Sequence, residues 1–322
     1  MAEAQVPVGL VNVLLAFPAK RKHLEALAPV SKRIRLTVAT SPEEIAGALR
    51  EAEVLACLPQ VVPVPWGPAP RLCWVHVLTA GADAVLPHVP AGVVVTVSRG
   101  IQADAVADHA LALLLALTRG IARFRDRQRA RLWDRRVRVG ELAGKTAAVL
   151  GLGPVGKAIA RRARAFGLRV LGVSRTGNHV PDVDECLPIS RLAEVLPQAQ
   201  VLFLALPLTA ETRGLIGAEE LALLPRRALL INVARGGVVD EAALIEALEE
   251  GRLAGAGLDV FAIEPLPEDS PLWGMDQVAI TPHIAGLHPT YTERAMAAFA
   301  ENLARFLSGE PLLNLVDRER GY

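Results

Sequence analysis

Three segments of the 322-residue chain each end a short apolar, strand-like run on a reactive side chain. They are Asn232-Val-Ala-Arg235-Gly-Gly, Leu258-Asp-Val-Phe-Ala-Ile-Glu264-Pro and Thr281-Pro-His283-Ile-Ala-Gly286. Ligands of open α/β sheets gather at the carboxyl ends of strands, so these residues are candidates to converge. A guanidinium, a carboxylate and an imidazole together suit reduction of a 2-oxo acid. The cation holds carboxylate and carbonyl oxygens, while a carboxylate-supported imidazolium donates a proton as hydride arrives.

A place for the hydride donor is also legible. Gly151-Leu-Gly153-Pro154-Val155-Gly156 forms G-x-G-x-x-G between the strand pattern Thr146–Leu150 and a helical pattern over Val155–Phe166. The three glycines suit a tight turn, close approach of backbone to a pyrophosphate, and close helix–strand packing. The helix N-terminus behind them offers unpaired N–H groups to phosphates. Enzymes of this kind that prefer NAD put an acid at the end of the next strand, about 20 residues on, to bind the ribose 2′-hydroxyl. Here Ser174-Arg175-Thr176 stands there, with no acid before Asp182. Arg175 can fork onto a 2′-phosphate with Ser174 and Thr176 as further donors, which favours NADPH. NADH remains possible, with Arg175 stacked on the adenine.

Apolar runs alternating with helical patterns must position these groups, and that alternation is the signature of a parallel α/β sheet. In the first hundred residues Val8–Phe17, Arg33–Val38, Val54–Cys57, Leu72–Val77 and Val93–Val97 read as strands. Ser41–Arg50 reads as a helix with Ser41 as N-cap and Glu44 at the capping-box position. The segment Pro59–Pro70 is too rich in proline for a helix. One long helix is expected from Asp104 through Arg123, apolar on nearly every face over His109–Leu117 and so buried between layers or domains. Beyond the glycine turn, strands are expected at Arg169–Val173, Val201–Ala205, Ala228–Val233, Gly255–Asp259 and Val278–Thr281, and a last helix at Tyr291–Leu307.

Composition bounds the rest. At roughly 150 residues per domain the length suggests two domains. With 52% hydrophobic and 21% charged residues, the chain is not disordered. A net charge of +1 gives no general attraction to nucleic acid or to an anionic membrane. The apolar run Ala110–Leu117 is far short of the ~20 residues a membrane helix needs. Glu3 precedes the first apolar stretch and Lys20-Arg21-Lys22 follow it, the wrong polarity for a signal peptide. Cys57, Cys73 and Cys186 make neither a disulfide framework nor a zinc motif, so a cytoplasmic enzyme without a metal is expected. Nine arginines crowd Arg119–Arg138 with only Phe124 and Trp133 among them, which suits a solvated helix or an arm against a second subunit. With the apolar helix before it, this arm points to a homodimer.

At the three reactive segments the sequence resembles the D-isomer-specific 2-hydroxyacid dehydrogenase family. The likeness extends over nearly the whole chain, through Thr79-Ala-Gly-Ala-Asp83 and Val106-Ala-Asp-His-Ala-Leu111, where the family's usual Val-Ala-Glu reads Val-Ala-Asp. The separations of 29 residues from Arg235 to Glu264 and 19 from Glu264 to His283 also look like the family's. The resemblance implies two Rossmann-like or flavodoxin-like doubly wound parallel-sheet domains with the active site in the cleft between them. A discontinuous substrate domain would comprise residues 1–101 and 289–322, and a dinucleotide-binding domain residues 102–288. His283 becomes the acid/base, Glu264 its orienting partner and Arg235 the group that binds and polarises the 2-oxo acid. Leu78, Thr79, Ala80 and Gly81 would receive the substrate, backbone N–H groups around Ala80-Gly81 taking its carboxylate. The cofactor would lie along the glycine turn and Ser174–Thr176, then Leu206, Pro207, Thr212, Val233, Ala234, Arg235, Asp259, His283, Ala285 and Gly286.

Within the family, Ser174-Arg175-Thr176, Pro271-Leu-Trp273 and the tail from Val316 are similar to bacterial glyoxylate/hydroxypyruvate reductases of the A type. That implies reduction of glyoxylate and hydroxypyruvate with NADPH. Two alternatives stay open: a dehydrogenase for a bulkier 2-oxo acid, whose pocket Leu58–Pro65 and Leu78–Gly81 would shape, and a nucleotide-sensing binding protein. Of the other histidines, His109 reads as a satisfied core residue, and His23, His88 and His179 as loop or surface residues. His76 suits either the substrate pocket or a buried structural role, and His288 could approach the cleft mouth.

Overall fold

The structure is a computed structural model that describes residues 9–62 and 66–319. The chain divides into two compact units, Met1–Ile101 with His288–Tyr322, and Gln102–Leu287.

In the first unit, β1 (Val11–Ala16), β2 (Ile34–Ala39), β3 (Val54–Cys57), β4 (Trp74–Val77) and β5 (Val94–Val97) pair in parallel, in the order β2-β1-β3-β4-β5. The alternation of β1 explains how the sheet is covered on both faces. Leu14 and Ala16 point to one layer, with Ile45 and Leu49 of the Pro42–Leu49 helix. Val11, Val13 and Leu15 point to the other, with Met296, Phe299, Leu303 and Phe306 of the Tyr291–Ser308 helix. Trp74 anchors that second layer, its ring 5.5 Å from Phe299 and 5.4 Å from Phe306. The expected cap is present: Ser41 Oγ accepts from Glu44 N, and Glu44 Oε2 accepts from Thr40 N and Ser41 N. Val8 and residues 63–65 of the proline-rich loop lie outside the described residues, as do residues 320–322 of the tail.

The second unit is a seven-stranded parallel sheet of β6 (Thr146–Leu150), β7 (Arg169–Ser174), β8 (Glu185–Pro188), β9 (Val201–Leu204), β10 (Ala228–Asn232), β11 (Leu253–Leu258) and β12 (Val278–Ile280). Their order is β12-β11-β10-β9-β6-β7-β8. The order reverses between β6 and β9, the switch point at which such sheets open a crevice for ligands. One face is covered by the helices Ala103–Arg119 and Pro154–Ala165, through Leu113, Leu114, Ile159 and Ala163 on Val149, Phe203 and Ile231. The helices Ala218–Leu223 and Glu241–Glu249 cover the other, through Leu221, Leu244 and Leu248 on Leu202, Leu204 and Leu230.

The single long helix expected over 104–123 is two helices. Ala103–Arg119 ends at Gly120, at φ +65°, and Ile121–Arg129 leaves at 64°. Only one face of the first is buried: Ala112 is exposed, and Leu115, Ala116 and Leu117 are half-buried. Arg162 of the Pro154–Ala165 helix ties it to the layer beside it, pairing with Asp104 at 3.0 Å and Asp108 at 2.6 Å. Among the described residues no single helix is long and apolar enough to cross a membrane, and the bent pair meets that test by length and composition only.

Candidate active site

The pairing register sets the site. Val173, Leu150, Leu204, Asn232, Leu258 and Ile280 stand opposite one another across β7, β6, β9, β10, β11 and β12. The residues that follow them therefore share one edge of the sheet: Ser174–Thr176, the glycine turn, Leu206-Pro207, Val233–Arg235, Asp259 and Thr281–His283. From β7 to β11 there are four strand spacings, about 19 Å, a span suited to an extended dinucleotide.

The glycine turn is shaped as the motif demands. Gly151 has φ +95°, and a Cβ there would lie 2.4 Å from Ala205 O. A Cβ on Gly156 would lie 1.7 Å from Gly151 O, so the helix can approach the strand only without one. A Cβ on Gly153 would meet nothing within 4 Å, which leaves open space above the turn. Gly153 is the N-cap of the Pro154–Ala165 helix, and Pro154 occupies its first turn, where a missing N–H costs no hydrogen bond. Beside the turn, Arg175 and Thr176 are exposed just past β7, and Ser174 Oγ accepts from Gly177 N at 3.0 Å. Thr212 Oγ1 donates to Pro207 O at 2.6 Å and accepts from Thr209 N at 2.8 Å, closing the loop after β9.

His283 and Glu264 are in direct contact, Nδ1 to Oε2 at 2.7 Å, although 19 residues separate them. Glu264 accepts at its other oxygen from Phe261 N at 3.0 Å, which fixes the carboxylate plane. A carboxylate only accepts, so Nδ1 carries the proton of this hydrogen bond. His283 sits at φ +53°, its N–H directed to Asp259 O at 2.8 Å. Asp259 secures that turn further. Its buried carboxylate accepts from Ile284 N and Ala285 N, each at 2.9 Å, and from Thr281 Oγ1 at 2.6 Å.

Arg235 follows β10, its Nη1 donating to Ala234 O at 2.8 Å. Asn232 shapes that turn, its side chain accepting from Ala234 N and donating to Arg235 O, each at 3.1 Å. The next residue must be glycine, since a Cβ on Gly236 would lie 1.9 Å from Phe261 C and O. That contact sets the Arg235 turn against the Phe261–Glu264 loop. Asn232 and Thr281 have no assigned role in the motif reading, yet both hydrogen-bond within these turns. A polar residue at or just past a strand end was the available signal for each.

In the other unit, Leu78–Gly81 leave the end of β4. Tyr291 Oη donates to Leu78 O at 2.8 Å, Thr79 Oγ1 donates to Gly81 O at 2.7 Å, and Ser98 N donates to Thr79 O at 3.0 Å. Burial pushes the Tyr291 hydroxyl up to about 12, so it stays a donor. His76 is fully buried on β4 between Thr96 Oγ1 at 2.7 Å and Ser98 Oγ at 3.0 Å, and burial pushes it down to about 3. Its role is therefore structural. His23 is buried rather than at the surface, its Nδ1 accepting from Lys20 N at 3.1 Å. His288 packs on the Tyr291 ring, with Nδ1 3.3 Å from Thr290 Oγ1.

Two parallel sheets of this topology, with a dinucleotide turn and an Arg, Glu and His at neighbouring strand ends, define a nicotinamide-dependent oxidoreductase of 2-hydroxy acids. Residues 111–285 match the family described as D-isomer specific 2-hydroxyacid dehydrogenase, NAD binding domain, and the chain belongs to that family. It is an NAD(P)-dependent 2-hydroxyacid dehydrogenase. It is 40% identical over 261 residues to a glyoxylate reductase of Pyrococcus furiosus, covering 78% of this chain and 77% of that one. A D-isomer specific 2-hydroxyacid dehydrogenase of Xanthobacter autotrophicus, solved with NADPH and MES, superposes with a TM-score of 0.85 at 37% identity, covering 98% of this chain and all of that one. An NADPH-dependent glyoxylate/hydroxypyruvate reductase of Sinorhizobium meliloti, solved with NADP and sulfate, gives 0.80 at 27% identity over 97% of this chain and all of that one.

Proposed function

We propose that the protein reduces small 2-oxo acids, glyoxylate and hydroxypyruvate foremost, with NADPH, giving 2-hydroxy acids of D configuration where the product is chiral. The observation that carries this reading is the 2.7 Å contact of His283 with Glu264 on the edge that also holds the glycine turn and Arg235. Gln102–Leu287 is the dinucleotide-binding domain and the other unit the substrate domain. The cradle at Gly151 and Gly156, with open space above Gly153, fits a pyrophosphate. Leu206, Pro207, Thr212, Val233, Ala234, Asp259, Ala285 and Gly286 continue the cofactor path along the same edge. The dihydronicotinamide, when bound, supplies the hydride.

The chain's own residues do the rest. Arg235 takes the substrate carboxylate and carbonyl oxygen in its planar fork. The amides of Ala80 and Gly81, in the turn after β4, are the groups proposed for the substrate carboxylate. Imidazolium His283 holds its Nδ1 proton on Glu264 and gives its Nε2 proton to the carbonyl oxygen. Ser174, Arg175 and Thr176 favour the 2′-phosphate of NADPH, in keeping with the NADPH complex of the Xanthobacter relative.

The protein works as a homodimer, in keeping with the apolar side chains its arm exposes, Trp133 at 94% and Ile121 at 56% among them. A panel of 2-oxo acids assayed with both cofactors tests the substrate and cofactor reading. A charge-assisted hydrogen bond contributes about 1.5–3 kcal/mol, so NADPH should exceed NADH by roughly 10- to 150-fold in kcat/KM, and Arg175→Ala should erase the difference. Equal or better use of NADH by the unaltered protein overturns the cofactor assignment. A branched 2-oxo acid turning over fastest would give the substrate to the bulkier class.

A further inference from the structure

His109 lies in the apolar stretch of the Ala103–Arg119 helix, yet its ring is turned to the catalytic edge of the sheet. Its Nε2 is 2.8 Å from Thr281 Oγ1 and 3.6 Å from Asp259 Oδ1. The Thr281 hydroxyl has one proton, and that proton goes to Asp259 Oδ1 at 2.6 Å. Thr281 can then only accept from His109, so Nε2 of His109 carries a proton. The direction of the chain is settled: His109 N–H to Thr281, Thr281 O–H to Asp259, and Asp259 accepting from the backbone of Ile284 and Ala285.

Those two amides directly follow His283. The Asp259 side chain is almost wholly buried and depends on its donors, since a buried carboxylate short of hydrogen bonds is costly and seeks new partners. Without the His109 donor, Thr281 Oγ1 keeps one hydrogen bond instead of two, its rotamer is less firmly held, and the 2.6 Å bond that commits Asp259 to the turn is weakened.

We propose that His109 is a positioning residue that holds the His283 turn in register, acting through Thr281 and Asp259. This inference rests on the reading of His283 as proton donor. An imidazole misplaced by a fraction of an ångström slows proton transfer while leaving binding nearly unaltered. The consequence of losing His109 is therefore a fall in kcat rather than a rise in KM.

The test compares His109→Leu, which removes the donor, with His109→Gln, whose side-chain N–H can reach the position of Nε2. Steady-state kinetics with glyoxylate and NADPH, NADPH affinity by fluorescence, and the primary isotope effect with deuterated NADPH are measured on each. His109→Leu should lose about tenfold in kcat, the scale of one hydrogen bond to a charged group, with KM and NADPH affinity within about twofold and a larger isotope effect. His109→Gln should recover most of the loss. If the leucine variant is unstable, Thr281→Val against Thr281→Ser reads the same link. Unchanged kcat in His109→Leu, a glutamine variant as impaired as the leucine one, or a loss lying wholly in KM each overturns the proposal. His283→Ala is run in parallel. Full activity there removes the proton-donor reading itself, whereas an inactive His283→Ala beside a normal His109→Leu removes only the role given to His109.

Discussion

Replacing Glu264 by glutamine is the most informative change at the site, because it keeps the shape and removes the charge. Glutamine still offers an oxygen either to Phe261 N or to His283 Nδ1, the two bonds that Glu264 makes at 3.0 and 2.7 Å. What it cannot do is stabilise an imidazolium by charge. Two unit charges about 4 Å apart interact by about 1 kcal/mol in water and about 4 kcal/mol at an effective dielectric of 20. The His283 and Glu264 side chains are 47% and 36% exposed, so solvent screens the pair and the lower half of that range applies. A loss of about 1–2 kcal/mol in the proton-donating state corresponds to a fall of roughly 5- to 30-fold in kcat. Raising the ionic strength should narrow the gap between wild type and Glu264→Gln, because salt screens the exposed pair. Glu264→Ala should lose more than glutamine, since it also leaves Phe261 N without its acceptor. The assay is initial-rate loss of NADPH absorbance at saturating glyoxylate across a salt series. A glutamine variant within twofold of wild type at low salt would refute the electrostatic role of Glu264.

Arg235→Lys keeps the charge but loses the planar fork, so kcat/KM for glyoxylate should fall at least tenfold, the scale of one charged hydrogen bond; a near-wild-type value excludes a bidentate role. Gly156→Ala puts a Cβ where 1.7 Å separates it from Gly151 O, so NADPH binding measured by fluorescence should be lost, and retained affinity would contradict the geometry of the turn. His76 stays neutral in the folded protein down to about pH 3, whereas the unfolded chain takes up a proton below about 6.5. The unfolded state therefore binds more protons through that window, and stability from this residue is present above it and falls by up to about 1.4 kcal/mol per pH unit as pH drops. Urea unfolding at several pH values should show a shallower acid-side slope in His76→Phe than in wild type, and identical slopes count against a buried neutral imidazole. Light scattering at micromolar concentration should give twice the chain mass, and a monomeric mass refutes the dimer.

The sheet was legible because each of its central strands is a short apolar run bounded by turn residues, and burial on both faces demands such runs. Thr146–Leu150 and Val54–Cys57 coincide with β6 and β3, and the remaining expected strands differ at their ends by up to three residues. Short, half-buried or edge elements were harder to read. β8, with Glu185 exposed and Cys186 and Pro188 half-buried, carries no periodicity to detect, and the helix Ala218–Leu223 is under two turns long. The break at Gly120 was hidden because one isolated glycine is tolerated in a helix and the helical pattern resumes at once with Ile121. The candidate reactive groups were visible as polar residues just past strand ends. Contacts between distant segments were not, because one such as His109 with Thr281 joins residues 172 positions apart. No local pattern marks His109 off from any histidine in an apolar helix.

The central claim is that His283, held by Glu264, gives the proton while hydride passes to a small 2-oxo acid. A single-turnover experiment tests it most directly. Excess enzyme with bound NADPH is mixed with glyoxylate, and loss of absorbance is followed for wild type and His283→Ala, with NADPH affinity checked in both. The variant should bind NADPH as wild type does and oxidise it roughly 10²–10⁴-fold more slowly, the usual contribution of a positioned acid. A correctly folded His283→Ala within about threefold of wild type would contradict the claim.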